Sequence, residues 1–144
     1  MISVSQCLQN KGQEIWSVRS DRSVYEALEL MAEKDIGALL VVDDGKLVGI
    51  FSERDYARKV ILQGKSSRET LVHEIMTPRV VYVHPQQTIE ECMALMTEKH
   101  IRHLPVLDGE RLVGVISIGD VVKAIISEQK FVIEQLEHYI TGNR

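Results

Sequence analysis

Two stretches of the chain carry one pattern: a glycine, two apolar residues, a serine, two variable residues and an aspartate. They read Gly49-Ile50-Phe51-Ser52-Glu53-Arg54-Asp55 and Gly114-Val115-Ile116-Ser117-Ile118-Gly119-Asp120. A serine hydroxyl both donates and accepts, and an ionised aspartate accepts through two oxygens. Where a strand runs into a helix, free N–H groups of the first turn attract phosphate, the hydroxyl adds a donor, and the carboxylate accepts from ribose hydroxyls. A phosphorylated nucleoside suits both ends of such a site. The same spacing is also that of a helix cap, with serine at the strand end and aspartate in the first turn. Both readings stand on the residues alone.

Basic residues are spread unequally around the two motifs. Arg54, Arg58 and Lys59 follow the first, where the matching positions of the second are Gly119, Lys123 and Ala124. The second copy brings Arg102 and His103 to its middle strand, where the first has Gly37 and Ala38. Two equivalent sites built on these motifs therefore differ in phosphate capacity. Other chemistries have weaker footing. Asp43, Asp44 and Asp108 stand beside glycines, where turn chemistry explains them, and no His or Cys converges on them in sequence, so no metal site is expected. His103, His84 or Asp120 could serve as acid or base in a small nucleotide-acting enzyme. Yet no nucleophile has an adjacent base and no glycine-rich phosphate loop is present.

The motifs belong to a duplicated unit. Residues 17–56 align with 82–121 at a constant offset of 65 without a gap, and 15 of those 40 positions are identical. Each copy reads strand, helix, strand, strand, helix, an α/β (α+β) unit. The first strands are Ile15 to Val18 and Val80 to Val83. Ser23 and Thr88 stand three residues before Glu26 and Glu91, the capping-box spacing that starts a helix. The spacing predicts one helix over 24–34 that buries Val24, Ala27, Leu28 and Met31, and a counterpart that buries Ile89, Cys92, Met93 and Met96. Hairpins follow at Ala38 to Ser52 and Leu104 to Ser117. The second helices start near Glu53 and Gly119. Short apolar segments, Val4 to Leu8 and Val72 to Met76, precede the copies, and the polar stretch Gly64 to Thr70 reads as a linker. The expected segmentation is 1–66 for the first repeat, 67–128 for the second and 129–144 for a C-terminal helix. That last helix lines up Val132, Leu136, Tyr139 and Ile140 on one face, to pack on its own core or meet a partner.

Composition excludes several classes. The chain has 144 residues with 17 Lys plus Arg against 21 Asp plus Glu, a net charge of −4 that offers nucleic acid no electrostatic attraction. No apolar run approaches the roughly 20 residues of a membrane span, and the N-terminus lacks the pattern of a secretion signal. Two cysteines, Cys7 and Cys92, read as thiols of a reduced, cytoplasmic protein. A repeat of about 60 residues buries little surface alone. Two copies packed about a pseudo-twofold axis, with symmetric clefts at the interface, are therefore the expected architecture.

With LVGIFSERD, LVGVISIGD and IRHLPVLDG in place, the duplicated unit resembles the cystathionine β-synthase (CBS) domain family, whose tandem pairs form a Bateman module. The likeness spans about Val4 to Ile126. It implies a stand-alone, non-catalytic regulatory module that binds adenosine-containing ligands such as AMP, ADP, ATP, NAD or S-adenosylmethionine, and that commonly pairs into a homodimer. It also implies roles for residues. Asp55 and Asp120 hold ribose, and Ser52 and Ser117 sit near ribose or phosphate. Ile36, Gly37, Ala38, Arg102 and His103 flank adenine and phosphate. Thr77 and Val81 line the adenine pocket of one cleft, and Gly12 and Trp16 that of the other. Arg54, Arg58 and Gly119 complete the ligand-binding set, and no catalytic cofactor is implied. Two readings of other classes remain beside the sensor: the nucleotide-acting enzyme, and an interaction protein that uses the C-terminal apolar stripe.

Overall fold

Both serine/threonine helix caps form, and the one at Thr88 closes into a full capping box with Glu91. In the computed structural model, which describes residues 1–11 and 14–141, Ser23 Oγ accepts from Glu26 N and Thr88 Oγ from Glu91 N, each at 3.1 Å. In chain order the described elements are α1 (Val4–Lys11), β1 (Ser17–Val18), α2 (Val24–Lys34), β2 (Ala38–Asp43), β3 (Lys46–Ser52) and α3 (Glu53–Tyr56), which runs into a π-helical turn (Ala57–Ile61). They continue with α4 (Val72–Ile75), α5 (Ile89–Lys99), β4 (His103–Asp108), β5 (Arg111–Ser117) and α6 (Ile118–Thr141). The mixed α+β expectation holds, and α2 has the predicted bounds. Both α2 and α5 end on a left-handed residue, Asp35 and His100, at equivalent positions of the repeat.

The chain divides into two compact units, Glu14–Val81 and Met1–Gln13 with Tyr82–Arg144. In the first, β2 pairs with β1 in parallel and with β3 antiparallel. The β2–β3 turn takes positive φ at Asp44 (49°) and Gly45 (80°), the backbone that matches strand twist in a two-residue hairpin. Leu39, Val41 and Phe51 from this sheet pack with Val24, Ala27 and Met31 of α2 and with Val60, Val72 and Ile75. In the second unit β4 and β5 pair antiparallel, over a core with Ile89, Cys92, Met96, Leu104, Val106 and Ile116. Burial pushes the Cys92 thiol up to about 11.

Several expectations need correction. Leu28 is only half-buried and Met93 is exposed, because each stands at the margin of the stripe set by residues three and four positions away. The first strands are shorter than predicted: Ser17–Val18 in one copy, and a lone parallel bridge of Val83 to Val106 in the other. Pro78 and Pro85 bracket that second segment and withhold ladder donors. The polar stretch 64–70 is no loose linker. Thr70 and Ser67 carbonyls accept from Val24 N (2.8 Å) and Tyr25 N (2.9 Å), satisfying the first amides of α2, and Arg68 lies 3.8 Å above the Tyr25 ring.

The segment before each copy does not stay with that copy. Val4 N and Ser5 N of α1 donate to the carbonyls of Gln87 and Pro85, and Leu8 covers Gly114. So α1 belongs to the unit of the second copy. Correspondingly, residues 72–77 belong to the unit of the first copy, where Thr77 and Ile50 exchange backbone hydrogen bonds of 2.9 and 3.0 Å. The compact units thus differ from the segmentation at 66. Finally, α6 runs without a break for 24 residues, so no separate helix starts at 129, and residues 142–144 lie outside the described ones. Val132, Leu136, Tyr139 and Ile140 are exposed along it rather than packed on the core.

Gly49 is where the fold leaves no room for a side chain. A Cβ there would stand 2.6 Å from Met76 Sδ and 3.1 Å from the Thr77 carbonyl oxygen. Gly49→Ala is expected to cost roughly 1–3 kcal/mol, the usual range for overpacking, read as a lower urea midpoint with unchanged slope. An unchanged midpoint would mean that the 72–77 segment is not held against β3.

Candidate functional site

The two Ser-x-x-Asp motifs fold into the same junction. In the Glu14–Val81 unit, Ser52 ends β3 and caps α3. Its Oγ accepts from Asp55 N at 3.1 Å, while Asp55 Oδ2 accepts from Ser52 N at 2.9 Å and from Ser52 Oγ at 3.0 Å. In the other unit Ser117 Oγ accepts from Asp120 N at 3.2 Å and Asp120 Oδ2 from Ser117 N at 2.8 Å. The capping reading of the motif is therefore realised twice. At Asp55 the cap uses Oδ2 and leaves Oδ1 to a further partner.

The first helical residue is fixed as well. Glu53 N donates to the Gly37 carbonyl at 3.1 Å, and Ile118 N to the Arg102 carbonyl at 2.9 Å. The expectation of free amides at the helix start is thus corrected for two amides in each unit. Those of Glu53, Asp55, Ile118 and Asp120 already have internal acceptors.

Around the first junction the fold gathers Gly37, Ala38, Ser52, Asp55 and Thr77. Ala38 pairs with Ser52 across β2 and β3, Thr77 pairs with Ile50, and Glu53 Oε1 stands 3.7 Å from where a Gly37 Cβ would be. Ile36 packs partly buried against the core. Arg54 and Arg58 are exposed on α3 and the π-helical turn, and Val81 is half-buried at the end of the unit. Around the second junction, His103 pairs with Ser117, and Arg102 and Gly119 are exposed beside it. Gly12 lies outside the described residues. Trp16 belongs to the Glu14–Val81 unit, with the Lys34 ammonium 4.2 Å above its ring.

One partner escaped the sequence reading. Lys59 Nζ stands 3.1 Å from Asp55 Oδ1 and donates to the Ile75 carbonyl, also at 3.1 Å. The i, i+4 spacing of Asp55 and Lys59 was the available signal, but it competed with the reading of Lys59 as a phosphate contact.

Asp43, the imagined metal ligand, is occupied otherwise. It accepts from Ser20 N at 2.9 Å and from Ser20 Oγ, and these bonds hold its carboxyl below the usual range. Among the described residues no group of three His, Cys, Asp or Glu is placed to hold a metal ion. Nor is any described helix long and apolar enough to cross a membrane.

Tandem β-strand hairpins, each closed by a Ser–Asp capped helix, define a CBS domain pair. The CBS domain family matches residues 12–61 and 72–127, and the chain belongs to that family. It is 39% identical over 150 residues to the CBS domain-containing protein CBSX3, mitochondrial, of Arabidopsis thaliana, covering 97% of this chain and 72% of the relative. A protein with CBS domains from Burkholderia ambifaria shares 57% identity and a TM-score of 0.85, over 88% of this chain and 96% of its own. The CBS domain pair of protein MJ0100, crystallised with 5′-methylthioadenosine and S-adenosyl-L-methionine, shares 28% identity and a TM-score of 0.79, over 89% and 98%.

The Asp43 contacts set a pH dependence. Because the folded carboxyl titrates below its unfolded value of about 3.9, its contribution is fully present above that value and is lost as pH falls through the folded one. Ser20→Ala should therefore lower the melting temperature at pH 7, with the difference from the parent shrinking below pH of about 4. A difference that is constant with pH would contradict the assignment.

Proposed function

We propose that this protein is a non-catalytic sensor of adenosine-containing ligands, with Asp55 and Asp120 each accepting hydrogen bonds from a ribose. The observation that carries the reading is the doubled Ser–Asp junction, on a fold that in MJ0100 is crystallised with two adenosine compounds. Each junction offers a partly buried carboxylate next to the mouth of a hairpin, with Gly37, Ala38 and Thr77 beside one and Arg102 and His103 beside the other. The residue types support binding rather than turnover. Burial pushes the Cys92 thiol upward and away from reactivity, and the two buried cysteines, in no disulfide, suit a reducing, cytoplasmic setting.

The two half-sites have different ligand preferences in this reading. Arg54, Arg58 and Lys59 provide three cations near Asp55, which favours AMP, ATP or NAD over a cationic sulfonium ligand. The Asp120 half-site has Gly119 and Ala124 at the places of Arg54 and Lys59 and suits a leaner ligand such as AMP. Ligand then stabilises one arrangement of the module by its differential affinity, which is the signal passed on.

The same proposal makes the protein a homodimer. Val122, Ile125, Gln129, Val132, Leu136 and Tyr139 follow the 3-4 spacing of a helix-packing seam along α6, and most of their side chains are exposed. A second copy supplies the matching seam. Replacing both Leu136 and Tyr139 by Asp should halve the mass seen by light scattering; an unchanged mass would place the interface elsewhere.

The function itself is tested by thermal shift with AMP, ADP, ATP, NAD, 5′-methylthioadenosine and S-adenosylmethionine. At about 100 times the dissociation constant a ligand adds roughly 2.7 kcal/mol, several degrees for a chain of this size. Asp55→Asn and Asp120→Asn, each compared with its own ligand-free melt, should each reduce that shift for the ligand of its half-site. No shift with any of the six compounds would overturn the sensor reading and favour an interaction protein built on the α6 seam.

A further inference from the structure

Asp55 is more fully committed than a ribose-binding carboxylate should be. Its Oδ2 accepts from Ser52 N and Ser52 Oγ, and its Oδ1 meets the Lys59 ammonium at 3.1 Å. A carboxylate has about four lone-pair sites, so three donors leave one. A vicinal diol that gives both hydroxyl protons to one carboxylate needs two. A ribose can thus be held by both hydroxyls at Asp55 only if Lys59 lets go. Lys59 is anchored a second time, on the Ile75 carbonyl, and needs another acceptor before it leaves. The repeat has Ala124, which carries no ammonium, at this place.

We propose that Lys59 is a selectivity residue of the Asp55 half-site, an inference that rests on the reading of Asp55 as the ribose acceptor. Lys59 yields Asp55 to a ribose in exchange for the ligand's phosphate. The half-site accordingly takes phosphorylated adenosine compounds and rejects uncharged adenosine. The side chain is suited to the exchange. Its ammonium is a compact charge on a flexible stem, its side chain is 45% exposed while that of Asp55 is 13% exposed, and Arg54 and Arg58 stand on the same turns to receive the rest of the phosphate charge. The Asp120 half-site, with no lysine in that place, is expected to distinguish adenosine from AMP less sharply.

Calorimetric titration of the full-length protein with adenosine and with AMP tests this. In an Asp120→Asn background the Asp55 half-site reports alone, and AMP should bind at least tenfold more tightly than adenosine. Adding Lys59→Met should raise adenosine affinity roughly threefold, the scale of one exposed ion pair, and lower AMP affinity, so that the ratio collapses. Lys59→Arg, which keeps the charge, should preserve the preference and controls for folding. An AMP-to-adenosine ratio that Lys59→Met leaves unchanged overturns the role of Lys59 while the ribose reading stands. Binding that survives Asp55→Asn in the same background overturns the ribose reading, and the selectivity falls with it.

Discussion

One carboxylate at the end of each hairpin closes a helix onto a strand, and the rest of each unit is arranged around that closure. Asp55 and Asp120 each accept a hydrogen bond from the backbone N–H of the serine that caps the helix. The next amide, of Glu53 or Ile118, is tied to the residue just before the middle strand. These bonds fix the direction in which α3 and α6 leave their sheets. They also place the entry to β2 or β4, the end of β3 or β5 and the first helical turn within one small region. In the proposed sensor, a ligand bound there meets backbone already held by hydrogen bonds, which lowers the ordering entropy that opposes binding.

The close packing behind the junctions depends on segments that come from before each copy. Gly49 has no side chain because Met76 and the Thr77 carbonyl occupy its space, and Gly114 yields its space to Leu8. The same glycine in both motifs is thus explained by close packing against the preceding segment. Thr77 is carried to the edge of β3 by that packing, two residues from Ser52 along the bridge with Ile50.

Much of this was legible in the sequence. The offset of 65 exposed the repeat, the Ser/Thr-x-x-Glu spacing placed α2 and α5 at their N-termini, and Asp-Gly marked the first hairpin turn. What was not legible depends on contacts distant along the chain. Nothing in Val4 to Leu8 says that its amides will find Pro85 and Gln87, since a short apolar segment satisfies any nearby core. The stretch from Gly64 to Thr70 has linker composition, yet its carbonyls are the acceptors that the start of α2 needs. The strand expected at Val80 to Val83 has the right residue types and loses its ladder to the flanking prolines. The continuity of α6 past Glu128 was readable from the lack of Gly or Pro between Gly119 and Thr141, and was obscured by the repeat boundary. At the site, the Ser–Asp pairs and their capping use were found, while the Lys59–Asp55 pair was hidden because lysine near a phosphate motif invites the other explanation.

The central claim is that the carboxylates that close the helices also accept ribose. A crystal structure of the full-length protein grown with AMP tests it most directly. The account predicts ribose hydroxyls within hydrogen-bond distance of an Asp55 or Asp120 oxygen, with the serine caps intact. AMP bound at a place that touches neither aspartate would contradict it.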